Sequence, residues 1–84
     1  MDLVEKVKKA LSAEIDVERF DIEDDGAIIG YVVSKQFEGL TSIERQTLIH
    51  RALRIGSQGL SRAEVKRIGA IASLTPVEFE VWSA

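Results

Sequence analysis

The chain has 84 residues, 45% of them hydrophobic and 30% charged, with one proline, a balance that fits one small folded domain over residues 1–84 and excludes a disordered tail. The absence of cysteine and a single histidine, His50, exclude a disulfide framework, a thiolate metal site, a cysteine nucleophile and a His-pair metal site. The net charge of −3 hides an asymmetry: residues 1–34 carry 4 basic and 9 acidic side chains, whereas residues 35–67 carry 7 basic and 3 acidic ones. The longest apolar run, Ala27 to Val33, is far short of a membrane span, and the first residues lack a signal-peptide layout. A cytoplasmic protein without membrane contact is expected, as a monomer or weak homodimer.

In chain order, Asp2 can cap a first helix running to about Ser12, with Leu3, Val4, Val7, Ala10 and Leu11 on one stripe. Lys8 and Lys9 then fall in its last turn, where they would complement the helix dipole. From Val17 to Glu23 the period becomes two, with Phe20 and Ile22 on one face and Arg19, Asp21 and Glu23 on the other. Asp24-Asp25-Gly26 reads as a tight hairpin turn. The next strand, Ala27 to Ser34, is apolar on both faces, as a central strand should be, and Gly30 marks a close approach.

After a short connection from Lys35 to Leu40, Thr41 and Glu44 form a capping-box pair for a helix to Ile55, closed by Gly56. On its wheel Leu48, Ile49, Ala52, Leu53 and Ile55 gather on one side. Thr47, His50, Arg51 and Arg54 gather on the other, so His50 is expected to face solvent. Ser61 with Glu64 can nucleate a short helical turn. The run from about Lys66 to Leu74 fits a third strand, although its pattern alone also fits a helix. Thr75, Pro76 and Glu78 mark the start of a last helix, which Val77, Phe79, Val81 and Trp82 can pack down. The predicted order is α-β-β-α-β-α, an α/β (α+β) fold with helices laid on a three-stranded sheet.

The segment from Tyr31 to Gln46, with Val33-Ser34-Lys35-Gln36-Phe37-Glu38-Gly39 and Arg45-Gln46 inside it, resembles the BolA family, and Leu48-Ile49-His50-Arg51-Ala52-Leu53 continues the match. Leu74-Thr75-Pro76-Val77-Glu78-Phe79 is similar to that family's closing strand-to-helix segment, so the resemblance spans most of residues 15–80. It implies a type II KH-like fold and a small non-enzymatic protein with two roles. One is as partner of a monothiol glutaredoxin in handling a glutathione-bound iron–sulfur cluster; the other is as a transcriptional regulator that binds DNA.

The same resemblance implies where iron ligands would stand. The family's ligand histidine in the third strand falls on Ala72, and its second ligand, a His or Cys between the first two strands, falls near Asp24-Asp25-Gly26. An alanine methyl has no lone pair, whereas clusters are held by thiolate or imidazole. No cofactor and no metal site are therefore expected. The leading expectation is a regulator or adaptor that binds a glutaredoxin-type partner or DNA without ligating the cluster itself. A cluster-trafficking partner and a KH-like nucleic-acid-binding module are the rivals.

The basic stretch supplies the candidate partner or phosphate contacts: Lys35, Arg45, Arg51, Arg54, Arg62, Lys66 and Arg67. Gly56-Ser57-Gln58-Gly59 has the G-x-x-G spacing with which KH domains clamp a nucleic-acid backbone. Gly56 as the residue after a helix cap and Gly59 as a turn residue is the simpler reading. Phe37 and Gly39 complete the loop candidates. A pI of ≈ 5.1 lies below the basic range usual for nucleic-acid-binding domains.

Arg45 lies on the apolar side of its helix, where it either faces a partner or an anion or pairs with a nearby carboxylate such as Glu38. Glu23-Asp24-Asp25 lacks the ligand spacing of a calcium loop. Tyr31, Phe37 and Trp82 are expected in packing rather than base stacking. Nothing resembles a nucleophile–base–orienter set, so no catalytic residue is expected.

Overall fold

Residues 2–84 are described by a computed structural model. The Asp2 carboxylate accepts a hydrogen bond from the Glu5 N–H (2.9 Å) and so starts α1, Leu3–Glu14. The helix runs past the expected end at Ser12, whose hydroxyl donates to the Lys8 carbonyl (2.7 Å) within the helix instead of breaking it. Lys8 and Lys9 consequently fall short of the last turn, which holds no basic residue, and the dipole role expected of them is not filled. Lys8 sits instead 3.8 Å from Glu5 and 5.6 Å from the centre of the Phe20 ring.

β1 (Arg19–Asp24) and β2 (Ile28–Val33) form an antiparallel hairpin in register from Arg19 opposite Val33 to Asp24 opposite Ile28. β3 (Ile68–Leu74) joins β2 in parallel, so the sheet order is β1-β2-β3 and β2 is central. The parallel register shifts between Ile28 and Gly30. Gly30 has φ 150°, and a Cβ there would stand 1.8 Å from the Asp21 carbonyl oxygen, so only glycine lets β1 and β2 close at this point.

β2 runs into a 3₁₀ turn, Lys35–Phe37, that Ser34 organises. The buried Ser34 hydroxyl donates to the Asp16 carbonyl (2.8 Å) and accepts from the Gln36 N–H (3.1 Å), while the Gln36 side-chain Oε1 accepts from the Asp16 N–H. The turn thereby drives Phe37 into the core, where it is fully buried. Three capping boxes then start α2 (Ser42–Arg54), α3 (Arg62–Val65) and α4 (Pro76–Ser83), from Thr41/Glu44, Ser61/Glu64 and Thr75/Glu78. With the short α3 ahead of β3, the order α-β-β-α-β-α and the helix-on-sheet architecture are as expected.

α1 and α2 cover one face of the sheet, where Val7, Leu11, Ile28, Val32, Phe37 and Leu53 share one core. Each such fully buried side chain contributes about 1.5–3 kcal/mol. α4 meets the opposite face. Alternation along β2 points Tyr31 away from Val32, and its ring packs 5.4 Å from Phe79 and 5.3 Å from Trp82.

Three side chains expected to pack are exposed instead. Ile55 is 76% exposed: it is the C-cap of α2, still in helical conformation but past the last turn that the core covers. Val77 and Val81 are also exposed: Phe79 and Trp82 take the sheet-facing side of α4, and the two valines share the other side. Among the described residues, no helix is long and apolar enough to cross a membrane.

Candidate functional site

The seven basic candidates separate into two groups. Lys35 lies 3.8 Å from Glu18, and the Arg67 Nη2 lies 2.8 Å from both carboxylate oxygens of Asp24. Arg45 is held more firmly, with its side chain only 14% exposed. Its Nε donates to the Leu40 carbonyl (3.1 Å), and its Nη1 donates to the Ser73 carbonyl (3.4 Å) and to Glu78 Oε1 (2.6 Å). The carboxylate beside it is thus Glu78 and not Glu38, because β3 returns the start of α4 to the first turn of α2. The Arg45 guanidinium, with the Thr75 N–H, holds the Glu78 carboxyl below its ordinary range.

Arg51, Arg54, Arg62 and Lys66 form the second group. All are exposed and make no ion pair among the described residues. Arg51 and Arg54 occupy the last turn of α2, while Arg62 opens α3 and Lys66 caps its end. The basic surface therefore narrows to α2's end and α3. In contrast, Glu64 on α3 is engaged: Lys6 Nζ donates to it at 2.6 Å and the Ser61 N–H at 2.9 Å, which together hold its carboxyl down at about 2.

The loop candidates are structural in their placement. Phe37 is a core side chain, and Gly39 turns the chain at φ 78° with open space where a Cβ would stand. Gly56 follows the C-cap of α2 and donates its N–H to the Arg51 carbonyl (2.9 Å). The Ser57 N–H donates to the Glu14 carboxylate (2.9 Å), and the Gly59 N–H to the Gly56 carbonyl (2.9 Å). Three of the four loop N–H groups are therefore engaged within the chain, where a KH-type clamp would direct them at phosphates.

Ala72 lies on β3 opposite Tyr31 and is exposed on the face that α4 only partly covers. Tyr31, Phe79 and Trp82 form a three-ring cluster beside it, with the Arg19 guanidinium 4.9 Å from the centre of the Phe79 ring. Asp21 and Glu23, also exposed, share the Arg19 face of β1. The cluster was not singled out from the sequence; the available signal was Phe79 and Trp82 one helical turn apart. Gln46 was missed as well: its Nε2 donates to the Ile71 carbonyl (3.1 Å) on β3.

The residues present do not fit an iron–sulfur cluster. Among the described residues no group of three or more His, Cys, Asp or Glu side chains could hold a metal ion. His50 is the one imidazole, and it lines a groove with Ile68, Gly69 and Ile71 rather than with Ala72. Asp24 and Asp25 at the hairpin turn offer carboxylates, the harder donor type that suits calcium or magnesium better than a cluster.

No protein-family model matches the chain, and no curated protein matches it in sequence. Solved structures do. A Bol-like protein from Babesia bovis superposes with a TM-score of 0.73 and 27% identity, covering 100% of this chain and 96% of that one. BolA1 from Arabidopsis thaliana (TM-score 0.72, 24% identity) and the BolA domain of SufE1 from the same plant (0.70, 21%) each cover 93% of this chain and 96% of their own. The two plant structures establish the fold, and the Babesia protein matches along the whole chain, including the Tyr31–Gln46 segment. The chain therefore has the fold of BolA-like proteins and is similar to them along its whole length.

Proposed function

We propose that the chain is a non-enzymatic BolA-type adaptor that docks a protein partner of the monothiol-glutaredoxin kind through the sheet face around Ala72, without supplying a ligand to a cluster the partner carries. The observation that carries this reading is the chemistry of that face. It places Tyr31, Phe79 and a 63% exposed Trp82 next to a methyl group where the family resemblance implies a ligand. An exposed tryptophan beside a half-buried tyrosine, with an apolar surround, is a usual anchor of protein interfaces. The neighbouring Asp21 and Glu23 would repel a phosphate backbone but suit a protein surface carrying lysine or arginine.

The nucleic-acid reading has one observation in its favour, the unpaired Arg51, Arg54, Arg62 and Lys66 on α2 and α3. Against it stand the engaged N–H groups of the Gly56–Gly59 loop and the pI of ≈ 5.1. Calorimetric titration with a cluster-free monothiol glutaredoxin separates the readings. Saturable binding is expected, weakened by Trp82→Ala while the circular-dichroism spectrum stays native. Absence of binding, or binding indifferent to Trp82, would overturn the proposal.

A further inference from the structure

A groove of about 580 Å³ runs along α2 beside β3 and α3, away from the Ala72 face. Its floor is apolar, made by Ile49, Leu53, Val65, Ile68 and Ile71, and its lip carries Thr47, His50 and the 80% exposed Ile43. A second depression of about 440 Å³ shares Thr47 and His50 and adds Arg51, Arg54 and Ile55. No carboxylate lines either one, although the whole chain is net acidic.

Arg51 and Arg54 complement the dipole of α2 at its C-terminus, a structural use for two of the four unpaired cations. That use does not extend to Arg62 and Lys66, which flank Val65 on α3. The result is an apolar trough beside positive charge that no ion pair among the described residues neutralises.

We propose that this groove is a second docking site, for an acidic peptide segment that inserts an apolar side chain. Both halves of that description come from the surface. The apolar floor and the exposed Ile43 require an anchor that loses water on binding, and the carboxylate-free, arginine-bordered rim selects negative charge around it. A nucleic-acid strand would use the cations but leave the floor unfilled, and no Phe, Tyr or Trp lines the groove, His50 being the one ring there to stack on a base. An extra strand is not the binding mode on the Ile71–Ser73 side of β3. There Gln46 and Arg45 already donate to the Ile71 and Ser73 carbonyls.

The test is fluorescence anisotropy on the full chain with a labelled peptide, Glu-Asp-Leu-Asp-Ile-Glu-Asp, and a control peptide in which Leu and Ile become Ser. Saturable binding of the first peptide is expected, with the control weaker by about tenfold or more. Arg51→Glu with Arg54→Glu, and separately Ile43→Asp, should each weaken it by about tenfold. All three positions are exposed, so these variants should keep the native circular-dichroism spectrum. Equal binding of the two peptides would overturn the proposal by reducing the site to bulk charge attraction. Failure of the first peptide to bind, with tight arginine-dependent binding of a labelled DNA duplex, would overturn it in favour of a nucleic-acid face.

Discussion

Arg45 and Gln46 in the first half of α2 turn back into the fold, whereas Arg51 and Arg54 in its last turn face outward without a carboxylate partner. The first pair meets the free edge of β3, where the Ile71 and Ser73 carbonyls need donors once β2 has taken the other edge. Arg45 also reaches Glu78, so one guanidinium ties α2 and β3 to the start of α4. Beside the second pair lies the groove, with an apolar floor and no carboxylate in its lining to engage them. The same residue type is thus a tie in one half of the helix and a free charge in the other. What it meets across the gap decides which.

Breaking the tie should have the largest effect. Arg45→Met leaves the Ser73 and Leu40 carbonyls without their donor and should lower stability by about 2–3 kcal/mol in urea unfolding. Gln46→Leu removes the one neutral hydrogen bond to Ile71 and should cost about 1 kcal/mol by the same assay. Arg51→Glu with Arg54→Glu touches no internal partner and should cost no more than about 1 kcal/mol, through the helix dipole alone. If this double variant destabilises as much as Arg45→Met, the two halves of the helix are not different in kind.

The smallest expected effect appears only in acid and concerns the two carboxyls held below their ordinary range. The Glu64 carboxyl, held at about 2 by Lys6 and the Ser61 N–H, contributes stability that is fully present above its unfolded pKa of about 4.3 and lost as pH falls toward 2. Glu78, lowered by Arg45, behaves with the same sign. Glu64→Gln or Glu78→Gln should therefore flatten the acid limb of stability against pH, leaving its slope above pH about 5 unchanged. Lys6→Met should reproduce the Glu64→Gln result, and an unaltered acid limb in Lys6→Met would remove that ion pair from the explanation.

What could be read from the sequence was mostly what is settled within a few residues. Each capping box joins residues three apart, and all three formed at the positions their Ser/Thr-x-x-Glu spacing marked. The hairpin, too, is local, set by Asp24-Asp25-Gly26. The segment that carries the family resemblance is now seen to be largely architectural: Ser34 ties the turn to Asp16, Phe37 fills the core, and Arg45 and Gln46 cap β3. That is why it identified the fold so readily and says so little about a partner.

The remainder depends on elements distant in sequence. Glu78 reaches Arg45 only because β3 lies beside β2, a pairing invisible from the local helix wheel, which suggested Glu38 instead. The ring cluster needs Tyr31 from β2 and two side chains from α4. Ile55 shows the same limit: a wheel gives its direction but not that no distant element covers the end of α2.

Docking without ligation is most directly tested by anaerobic mixing of the chain with a cluster-loaded monothiol glutaredoxin, followed by visible absorption and circular dichroism. The expected result is a complex whose cluster spectrum equals that of the glutaredoxin alone, both for the native chain and for His50→Ala. A spectral shift on mixing that disappears with His50→Ala would show that this chain ligates the cluster after all, and would contradict a partner face built around Ala72.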